Sequence, residues 1–598
     1  MTCDGSTPTT TMPTAPSGVP CPERPRPEHP RPEHPRPRLQ RARWQSLNGP
    51  WDFAIDAAGA SRGQPDEVVW DRTILVPFAP ESRASGIGER GFMTSVWYRR
   101  RVTVPRDWGG TIPTLRIGAA DHHTRVFVNG SLACEHWGGS TRIDVDLRPF
   151  AGPGDSVEVA LHCQDDVRTG LQPGGKQSAL PDSHGCFYTR VTGVWQSVWL
   201  EAVPEGGLDD LHVQASAATR TLVLTPRLLP FSGARRLRLR LLEGQREVAC
   251  AEGPAANGLP LVLHAPDARP WTPADPALYD LEIDLLDAEG AALDRVRSYV
   301  GLRDVEVRGR QVLLNGEPLV QRLVLDQGYW PDTLWTAPSD DALRHDIELG
   351  KTLGFDGARL HQKVFEPRYH YWADRLGYLT WAEYPSWGLE VRSPEAARNV
   401  LSEWAAVVRE LRQHPSIIAW TPFNETDPVS ARDSQHGRLV RDVVALTRAL
   451  DPSRPVNDAS GWVHVDTDLW TVHHYTQDAS ELARLMAAYP DIVRNEPELE
   501  PPYAGQPLLL DEFGGIKWVD GSEAGPDDWG YGSEPRSERE FVERLRALMG
   551  AALPNAHVAG FCYTQLTDVE QERNGLLTAE RTPKLDAAVV RAIVRGEG

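Results

Sequence analysis

The chain has 598 residues, of which 40% are hydrophobic and 24% charged, and its formal net charge is −20. This length exceeds the roughly 250 to 300 residues at which a single hydrophobic core stops growing, so we expect several domains. The negative charge would repel phosphate backbones, which argues against nucleic acid as a partner. A carbohydrate fits better, because 20 Trp and 14 Tyr residues offer flat surfaces for sugar rings.

The sequence shows no membrane or metal signature. It contains no run of about 20 apolar residues and no secretory leader, so we expect a cytoplasmic protein without membrane contact. The seven cysteines are scattered, odd in number and without a Cys-x-x-Cys pair, which argues against a zinc site or a disulfide framework. We predict no metal and no other cofactor, and leave a homo-oligomer open.

The amino-terminal region, residues 1–38, is rich in Thr and Pro and carries a near-repeat between Pro25 and Pro37. Such a composition cannot bury a core, so it predicts a disordered tail. The tail either acts as a spacer or lies across a neighbouring subunit.

Two all-β regions follow the tail. Short alternating strands broken by Gly, Asn and Pro turns predict a β-sandwich over residues 39–203. A second block of alternating strands, residues 204–301, has the size of an immunoglobulin-like sandwich. In the first block a polar loop at residues 174–177 either stays in solvent or reaches a neighbouring domain.

The remaining region, residues 302–598, alternates apolar runs with longer helical segments. Eight such units predict a (β/α)₈ barrel, whose active site lies at the carboxyl ends of the strands. A doubly wound open sheet is the alternative, but no Gly-rich phosphate loop follows the first strand. The predicted strands are 319–326, 354–360, 378–383, 416–424, 454–459, 469–475, 507–512 and 558–565, and the predicted helices include 340–352, 396–413, 436–450 and 536–552.

Two glutamates end predicted barrel strands. Glu425 ends the fourth strand, and Glu512 ends the seventh beside a Gly pair. Breaking a glycosidic bond requires an acid for the leaving oxygen and a second carboxylate for the developing positive charge. In retaining enzymes the two lie only about 5 Å apart. Opposite strands of a small barrel can supply such a pair, so the sequence predicts a glycosidase.

Two side chains next to these glutamates have predicted roles. Asn424 is placed to hydrogen-bond a sugar hydroxyl next to the anomeric carbon. Tyr475, at the end of the sixth strand, is placed to hold the nucleophilic carboxylate ionised through a hydrogen bond. One of the neighbours His473 and His474 should face the core or the helices, and we retain His474 as the lesser candidate.

Further sugar-binding candidates end the first two strands: Asp326 and Gln327 on the first, Arg359 and His361 on the second. Because the active face of the barrel lies at these ends, we expect several of them to contact substrate. Arg359 alternatively serves as a structural partner that lowers the pKa of a nearby carboxylate.

The chain resembles glycoside hydrolase family 2, which contains β-galactosidases, β-glucuronidases and β-mannosidases. The resemblance covers nearly everything after residue 40. It rests on Leu47–Phe53, Val96–Tyr98, Val126–Gly130, Tyr188–Gln196, Leu314–Gly316, Gly354–His361, Phe423–Glu425 and Asp511–Gly515.

The resemblance implies a sugar-binding jelly roll, an immunoglobulin-like sandwich and a TIM barrel. It implies Glu425 as acid/base and Glu512 as nucleophile, with Tyr475 beside the nucleophile. It further implies Asn424 on the sugar, and Asp326 and Arg359 in or near the glycone pocket.

At two places the sequence departs from motifs of the family, and these departures narrow the range of possible substrates. Family β-glucuronidases bind the uronate with an Asn-x-Lys motif, but the comparable stretch here is Glu572–Leu576, without that lysine. Arg573 is the substitute cation if a glucuronide is the substrate. The Glu-x-His magnesium element of the large β-galactosidases is replaced by Trp381–Trp387.

We therefore predict an exo-acting retaining glycosidase that removes a terminal neutral sugar, with a β-galactoside as the leading substrate. The alternatives are a furanosidase acting on β-galactofuranosides or α-L-arabinofuranosides, a β-glucuronidase, and a non-catalytic carbohydrate-binding protein. Transfer of the sugar to another acceptor than water would use the same residues.

Overall fold

Two β-sandwiches and one α/β barrel make up the described part of the chain. The computed structural model describes residues 29–56, 58–230, 235–489, 496–519, 525–553 and 558–597. Antiparallel sheets occupy the amino-terminal half, and a parallel sheet with helices follows. The predicted combination of a jelly roll, an immunoglobulin-like sandwich and a TIM barrel is confirmed.

The first sandwich packs a six-stranded sheet against a four-stranded one. Alternate side chains of each strand face inward, and the enclosed core contains residues such as Trp51, Tyr98 and Leu161. A short pair, Ala120–Asp121 with Gly193–Val194, completes it. The six strands, in sheet order, are Arg72–Val76, Gly49–Ile55, Ser95–Thr103, Ser156–Gln164, His123–Val128 and Ser131–Trp137; the four are Trp44–Ser46, Val198–Pro204, Thr111–Ile117 and Ile143–Asp146.

The second sandwich is smaller and has the alternation expected of a half-buried sheet. In the strand Arg236–Glu243 the leucines at 237, 239 and 241 are buried, while the arginines between them face outward. Its three-stranded sheet contains Leu208–Ser216, Thr221–Leu228 and Leu261–His264; its four-stranded sheet contains Arg246–Pro254, Arg236–Glu243, Tyr279–Leu286 and Ala292–Val300.

A small antiparallel sheet leads into the barrel, and its strands are Val305–Arg308, Gln311–Leu314 and Glu317–Pro318. Seven parallel strands then form one curled sheet, whose two edge strands are Ile417–Thr421 and Trp470–His474. A short parallel pair, Phe423–Asn424 with Ala459–Ser460, comes between these two edge strands in the sequence. The seven are Gln321–Asp326, Gly357–Leu360, Leu379–Glu383, Ile417–Thr421, Trp470–His474, Leu508–Gly514 and Val558–Thr564.

The barrel differs from the predicted strands at two places. The predicted strand 416–424 is interrupted at Pro422, which has no N–H to donate to a ladder. The predicted strand 454–459 is reduced to Ala459–Ser460 and a single bridge at Val456. The Val456 N–H donates to the Asp468 carboxylate at 2.8 Å, so it is not available to a neighbouring strand.

The helices begin at capping residues close to the predicted positions. The Ser339 side chain, for example, accepts the Ala342 N–H and starts the first helix. Within the described residues no helix is both long and apolar enough to cross a membrane. The α-helices are Asp340–Thr352, Pro367–Leu376, Pro394–Leu411, Pro428–Ala431, Ser434–Leu450, Ala479–Ala488, Glu538–Ala552 and Ala587–Arg595; the 3₁₀ helices are Pro65–Glu67 and Arg83–Ser85.

The structure differs from the predicted disordered tail at residues 29–38, whereas residues 1–28 lie outside the described part. Buried arginines fix this irregular segment to the barrel and to the second sandwich, and Asn48 of the first sandwich donates a hydrogen bond to the Arg31 carbonyl at 3.1 Å. Arg31 contacts Glu366 of the barrel at 2.6 Å, and Arg36 contacts Asp210 of the second sandwich at 3.0 Å. Slightly further on, Arg41 binds side chains of both sandwiches. The composition of the segment indicates that burying its arginines is unfavourable. It does not reveal that carboxylates elsewhere in the chain pair with these arginines and offset the desolvation cost.

Candidate active site

A cavity of about 320 Å³ opens at the carboxyl ends of the barrel strands. Side chains at the ends of six barrel strands reach it, and a loop of the first sandwich covers one side. Acids, cations and aromatic rings are all represented, as expected of a polar-ligand pocket. The lining residues are Lys176, Cys186, Leu325, Gln327, His361, Trp387, Glu425, Trp462, His473, Tyr475, Glu512, Trp529, Tyr531, Thr564 and Glu572.

Glu512 lies near the end of the strand Leu508–Gly514 and is almost completely buried. Its carboxylate accepts hydrogen bonds from Arg359 Nη1 at 2.7 Å and from the Tyr475 hydroxyl at 2.5 Å. Burial alone would raise the pKa of Glu512, but His473, Arg359 and the Tyr475 hydroxyl outweigh it and hold the pKa well below its usual range. Glu512 is therefore an ionised carboxylate with restricted orientation.

The chain after Glu512 must pass closely between two aromatic rings. Gly514 and Gly515 both adopt positive φ angles, +86° and +63°. A side chain at Gly514 would clash with the Tyr563 ring, and one at Gly515 with the Tyr531 ring. The Gly pair noted in the sequence thus permits the turn that brings Glu512 into the cavity.

Arg359 connects the buried polar groups beneath the cavity. Its guanidinium donates to Glu383 Oε2 at 2.7 Å, to Glu512 Oε1 at 2.7 Å and to Asn424 Oδ1 at 2.6 Å. It also lies 3.1 Å from His361 Nδ1. Arg359 is fully buried and does not line the cavity, so its position fits the predicted structural alternative rather than direct contact with sugar.

Glu425 approaches Glu512 from the opposite side of the barrel. Its backbone has a φ of +43°, uncommon for a residue with a side chain, and its N–H donates to the Ser460 carbonyl. Carboxylate oxygens of Glu425 and Glu512 and a ring nitrogen of His473 all lie within 4.8 Å of one another. This separation matches the roughly 5 Å between the two carboxyl groups of a retaining glycosidase.

His473 links the two glutamates. Its Nδ1 lies 2.7 Å from Glu425 Oε1 and 3.5 Å from Glu512 Oε2, and its Nε2 lies 3.2 Å from Asp511 Oδ1. Burial alone would lower the pKa of His473, but Glu512 and Asp511 outweigh burial and raise the pKa to about 10. At neutral pH the His473 ring is therefore an imidazolium.

We predict that replacing His473 with Asn changes how stability depends on pH. The folded pKa is raised, so the charge on His473 stabilises the native state fully below the unfolded pKa near 6.5, and this contribution disappears as pH rises through about 10. In denaturant unfolding at neutral pH, the free energy of unfolding of the parent should exceed that of the variant by up to roughly 4 kcal/mol. The difference should shrink as the pH approaches 10. A pH-independent difference would contradict a charged His473.

Tyr475, Gln327 and His361 line the cavity, and Asn424 lines an adjoining cavity that shares Glu425 and Trp387 with it. The Tyr475 ring stacks on Tyr531 at 3.6 Å, and its hydroxyl contacts Glu512. Asn424 Nδ2 and Gln327 Oε1 are buried and make no hydrogen bond within the described chain. Unsatisfied groups of this kind are available to sugar hydroxyls. His361 lines the cavity, and burial lowers its pKa, which keeps it neutral.

Besides Arg359, two more predicted residues lie away from the cavity. Asp326 is buried behind it, where its carboxylate accepts from the Gly328 N–H at 2.9 Å and the Tyr369 hydroxyl at 3.3 Å. His474 points to the helix layer and hydrogen-bonds the Tyr489 hydroxyl at 2.6 Å. Neighbouring side chains on a strand face opposite ways, so when Tyr475 faces the cavity, His473 does so and His474 does not.

Lys176 is the most informative residue that the sequence analysis did not assign to the site. It belongs to the polar loop 174–177, which docks on the barrel because the Gly174 and Gly175 N–H groups donate to the Trp387 carbonyl at 2.8 and 3.1 Å. Gly175 has a positive φ, and a side chain there would clash with the Gln362 carbonyl. The Gly-Gly pair was the only sequence signal for this close approach.

The Lys176 ammonium is almost fully buried and lies 4.4 Å from the centre of the Trp387 ring. No described residue accepts a hydrogen bond from Nζ. Burial alone would lower the pKa of Lys176, but Cys186, Glu572 and Glu512 outweigh burial and raise it. The cavity therefore contains a cation whose hydrogen bonds are available to a ligand.

Glu572 lies in the same cavity. Its carboxylate accepts from the Tyr188 hydroxyl at 2.5 Å and from Asn574 Nδ2 at 3.1 Å. Burial raises the pKa of Glu572, and Lys176 opposes this effect. Arg573, the substitute cation suggested by the sequence, instead faces Asp528 and Asp568 at 3.6 and 3.7 Å and does not line the cavity.

Comparison with known proteins gives consistent family matches. Residues 305–515 match the family model "Glycosyl hydrolases family 2, TIM barrel domain", and residues 238–303 match "Glycosyl hydrolases family 2". A β-glucuronidase of Felis catus is 28% identical over 458 residues, covering 69% of this chain and 68% of that protein. A β-glucuronidase of Paenibacillus borealis is 25% identical over 600 residues, covering 92% and 96%.

The fold is also shared with solved structures. The structure of a β-glucuronidase from Ruminococcus gnavus has a TM-score of 0.78 and 21% sequence identity, and the match covers 93% of this chain and 99% of that one. The family matches, the fold and the predicted enzyme class agree: residues 238–303 and 305–515 resemble the domains of glycoside hydrolase family 2, and the protein is a glycosidase.

Proposed function

We propose that the protein is an exo-acting retaining glycosidase in which Glu512 is the nucleophile and Glu425 the acid/base. The observation that supports this assignment is the short separation of the two carboxylates, one of them held ionised by Arg359, Tyr475 and His473. In the first step Glu512 attacks the anomeric carbon, while Glu425 gives a proton to the leaving oxygen. In the second step Glu425 takes a proton from water, which releases the sugar from Glu512.

The surroundings of the pair fit these steps. The His473 ring donates a hydrogen bond to Glu425, so a proton is held beside the carboxylate that must protonate the leaving oxygen. Asn424 Nδ2 is free to donate to a sugar hydroxyl next to the anomeric carbon. The cavity of about 320 Å³ has room for a terminal sugar, which supports exo action.

A β-glucuronide is the first candidate for the glycone. The β-galactoside prediction has no support among the relatives, since the proteins compared above are named β-glucuronidases. The Lys176 ammonium is the site feature that favours an anionic sugar, because it has no acceptor among the described residues and could bind a uronate carboxylate. Charge-assisted hydrogen bonds of this type are about twice as strong as neutral ones.

A neutral glycone is the second candidate, and Glu572 favours it. A buried carboxylate in the cavity would repel a uronate, whereas it would accept hydrogen bonds from the hydroxyls of a neutral sugar. Pyranosides and furanosides, including β-galactofuranosides and α-L-arabinofuranosides, present such hydroxyls equally.

Hydrolysis of nitrophenyl glycosides by the parent and three variants separates the candidates. For a glucuronidase we expect the β-glucuronide to have the highest kcat/KM, and Lys176→Met to raise its KM about 10-fold or more, since a hydrogen bond to a charged group contributes roughly 1.5 to 3 kcal/mol. Lys176→Arg, which keeps the charge, should retain most of the affinity. Glu572→Gln should improve glucuronide binding by removing a like charge.

The opposite pattern supports the second candidate. If a neutral galactoside or furanoside is hydrolysed faster than the glucuronide, and Glu572→Gln weakens its turnover, the glucuronide proposal is wrong. The panel must therefore contain β-galactopyranoside, β-galactofuranoside, α-L-arabinofuranoside and β-glucuronide.

A further inference from the structure

The adjoining cavity meets the active-site cavity at Trp387, Glu425 and Trp462, which line both. It encloses about 490 Å³. Glu512 and Lys176, which line the active-site cavity, are not among the described residues that line the adjoining one. The proposed acid/base therefore borders both spaces, whereas the proposed nucleophile borders only one of them.

The position of Glu425 decides which part of a substrate enters the adjoining cavity. In the proposed reaction Glu425 protonates the oxygen of the leaving group, while Glu512 forms a bond to the sugar. The sugar therefore occupies the cavity that contains Glu512, and the leaving group lies against Glu425. Because the adjoining cavity borders Glu425 on the side without the nucleophile, it receives the leaving group.

Aliphatic and aromatic side chains form a large part of the walls of the adjoining cavity. The ring centres of Phe187 and Trp387 lie 5.5 Å apart, at an angle of 44°. Trp462 is 40% exposed, so a ligand that covered it would remove apolar surface from water. The apolar side chains of the walls include Val167, Phe187, Trp387, Leu389, Phe423 and Trp462.

Polar side chains of the same cavity are already engaged in hydrogen bonds within the protein. Gln177 donates to the Asp121 carboxylate at 3.0 Å and accepts the Val191 N–H at 2.8 Å. The Asp427 carboxylate accepts two backbone N–H groups and so caps the helix Pro428–Ala431. These groups are not available to the hydroxyls of a second sugar, and burial of hydroxyls without partners is unfavourable. The walls therefore favour an apolar leaving group.

Contacts between the first sandwich and the barrel hold these walls in place. The Gly170 carbonyl accepts the Glu390 N–H at 2.8 Å, beside the loop 174–177 that docks on the barrel. At the boundary of the two cavities the Trp387 indole donates to the Asn424 carbonyl at 3.2 Å. A cavity whose walls are already fixed binds a rigid ligand with little further loss of conformational entropy.

We propose that the adjoining cavity binds the leaving group of the substrate, and that Phe187, Trp387 and Trp462 select an alcohol that carries a flat aromatic ring over a second sugar. Aromatic rings in such surroundings gain from ring contacts as well as from burial. The inference rests on the proposed role of Glu425, but it does not depend on which sugar occupies the active-site cavity. It makes the first sandwich, through Phe187, a determinant of leaving-group specificity.

Glycosides that differ only in the leaving group test the proposal, each with the sugar that the nitrophenyl panel identifies. The series contains an ethyl glycoside, a 2-phenylethyl glycoside and a disaccharide in which the second sugar is glucose. All three leaving groups are weakly acidic alcohols, so all three need protonation by Glu425. We expect kcat/KM for the 2-phenylethyl glycoside to exceed the other two values about 10-fold or more, as added apolar groups in an apolar pocket do.

Replacement of Trp462 shows whether this preference arises in the adjoining cavity. Trp462→Ala should lower kcat/KM for the 2-phenylethyl glycoside roughly 10-fold, as truncation of a large aromatic contact does, and should affect the ethyl glycoside far less. Trp462→Phe should keep part of the preference. Trp137→Ala is the matched control, because it removes another exposed indole that lines neither cavity, and both rates should stay at the parent values.

The outcomes separate this inference from the proposed function. If the ethyl and 2-phenylethyl glycosides are hydrolysed equally well, or if the disaccharide is the best of the three, the leaving-group proposal is wrong although the protein is still a retaining glycosidase. An equal loss for the ethyl and 2-phenylethyl glycosides in Trp462→Ala would also contradict it. Failure to hydrolyse any glycoside of either series would overturn both proposals.

Discussion

Replacing Glu512 with Gln is expected to lower kcat by about 10⁴-fold or more, on the scale seen when the nucleophile of a covalent mechanism is removed. The amide has nearly the same shape and can still contact Arg359 and Tyr475, but it cannot form the glycosyl ester. Substrate affinity should change far less than kcat. Steady-state kinetics with the best nitrophenyl glycoside of the panel measures both.

The smaller variant Glu512→Gly provides a sharper control. It leaves room beside the anomeric carbon, so added azide should restore cleavage and give a glycosyl azide of inverted configuration, because one displacement replaces two. Circular dichroism must show an intact fold, since the loss of a charge beside buried Arg359 could also destabilise the barrel. Full activity of either variant would remove Glu512 from the mechanism.

The second large effect is expected for Glu425→Ala. Without the acid, glycosides with poor leaving groups should lose about 10²- to 10⁴-fold in rate, the usual contribution of general acid catalysis. Dinitrophenyl glycosides, whose leaving group needs no proton, should still form the intermediate and then accumulate it. Pre-steady-state bursts with the dinitrophenyl substrate measure this difference.

Azide also distinguishes the roles of the two glutamates. In Glu425→Ala it should intercept the intermediate on Glu512 and give a glycosyl azide of retained configuration, opposite to the product expected from Glu512→Gly. Equal losses for good and poor leaving groups would contradict an acid/base role for Glu425.

Local sequence patterns predicted most of the barrel strands, because these are short apolar runs that end in polar residues. Glu425, Glu512 and Tyr475 could be selected from the sequence, since a (β/α)₈ barrel places all its strand ends on one face. Strand alternation would also have favoured His473 over His474, because His473 and Tyr475 are two residues apart and share a face.

Contacts between distant segments could not be derived from local patterns. Lys176 reaches the site only because the loop around Gly174 docks on the Trp387 carbonyl, a contact between domains. The composition of residues 29–38 predicts a disordered tail. In the structure, however, Arg31 pairs with Glu366 of the barrel and Arg36 with Asp210 of the second sandwich. A sequence pattern reports periodicity and composition, whereas pairing of buried charges depends on the finished fold.

The most direct test of the central claim is to trap the covalent intermediate. A 2-deoxy-2-fluoro glycoside of the preferred sugar, with a dinitrophenyl leaving group, should inactivate the enzyme and add one sugar to the chain. Peptide mapping by mass spectrometry should then locate the sugar on Glu512, in the strand Leu508–Gly514. A label on another residue, or an inverted first product without any label, would contradict a double displacement through Glu512.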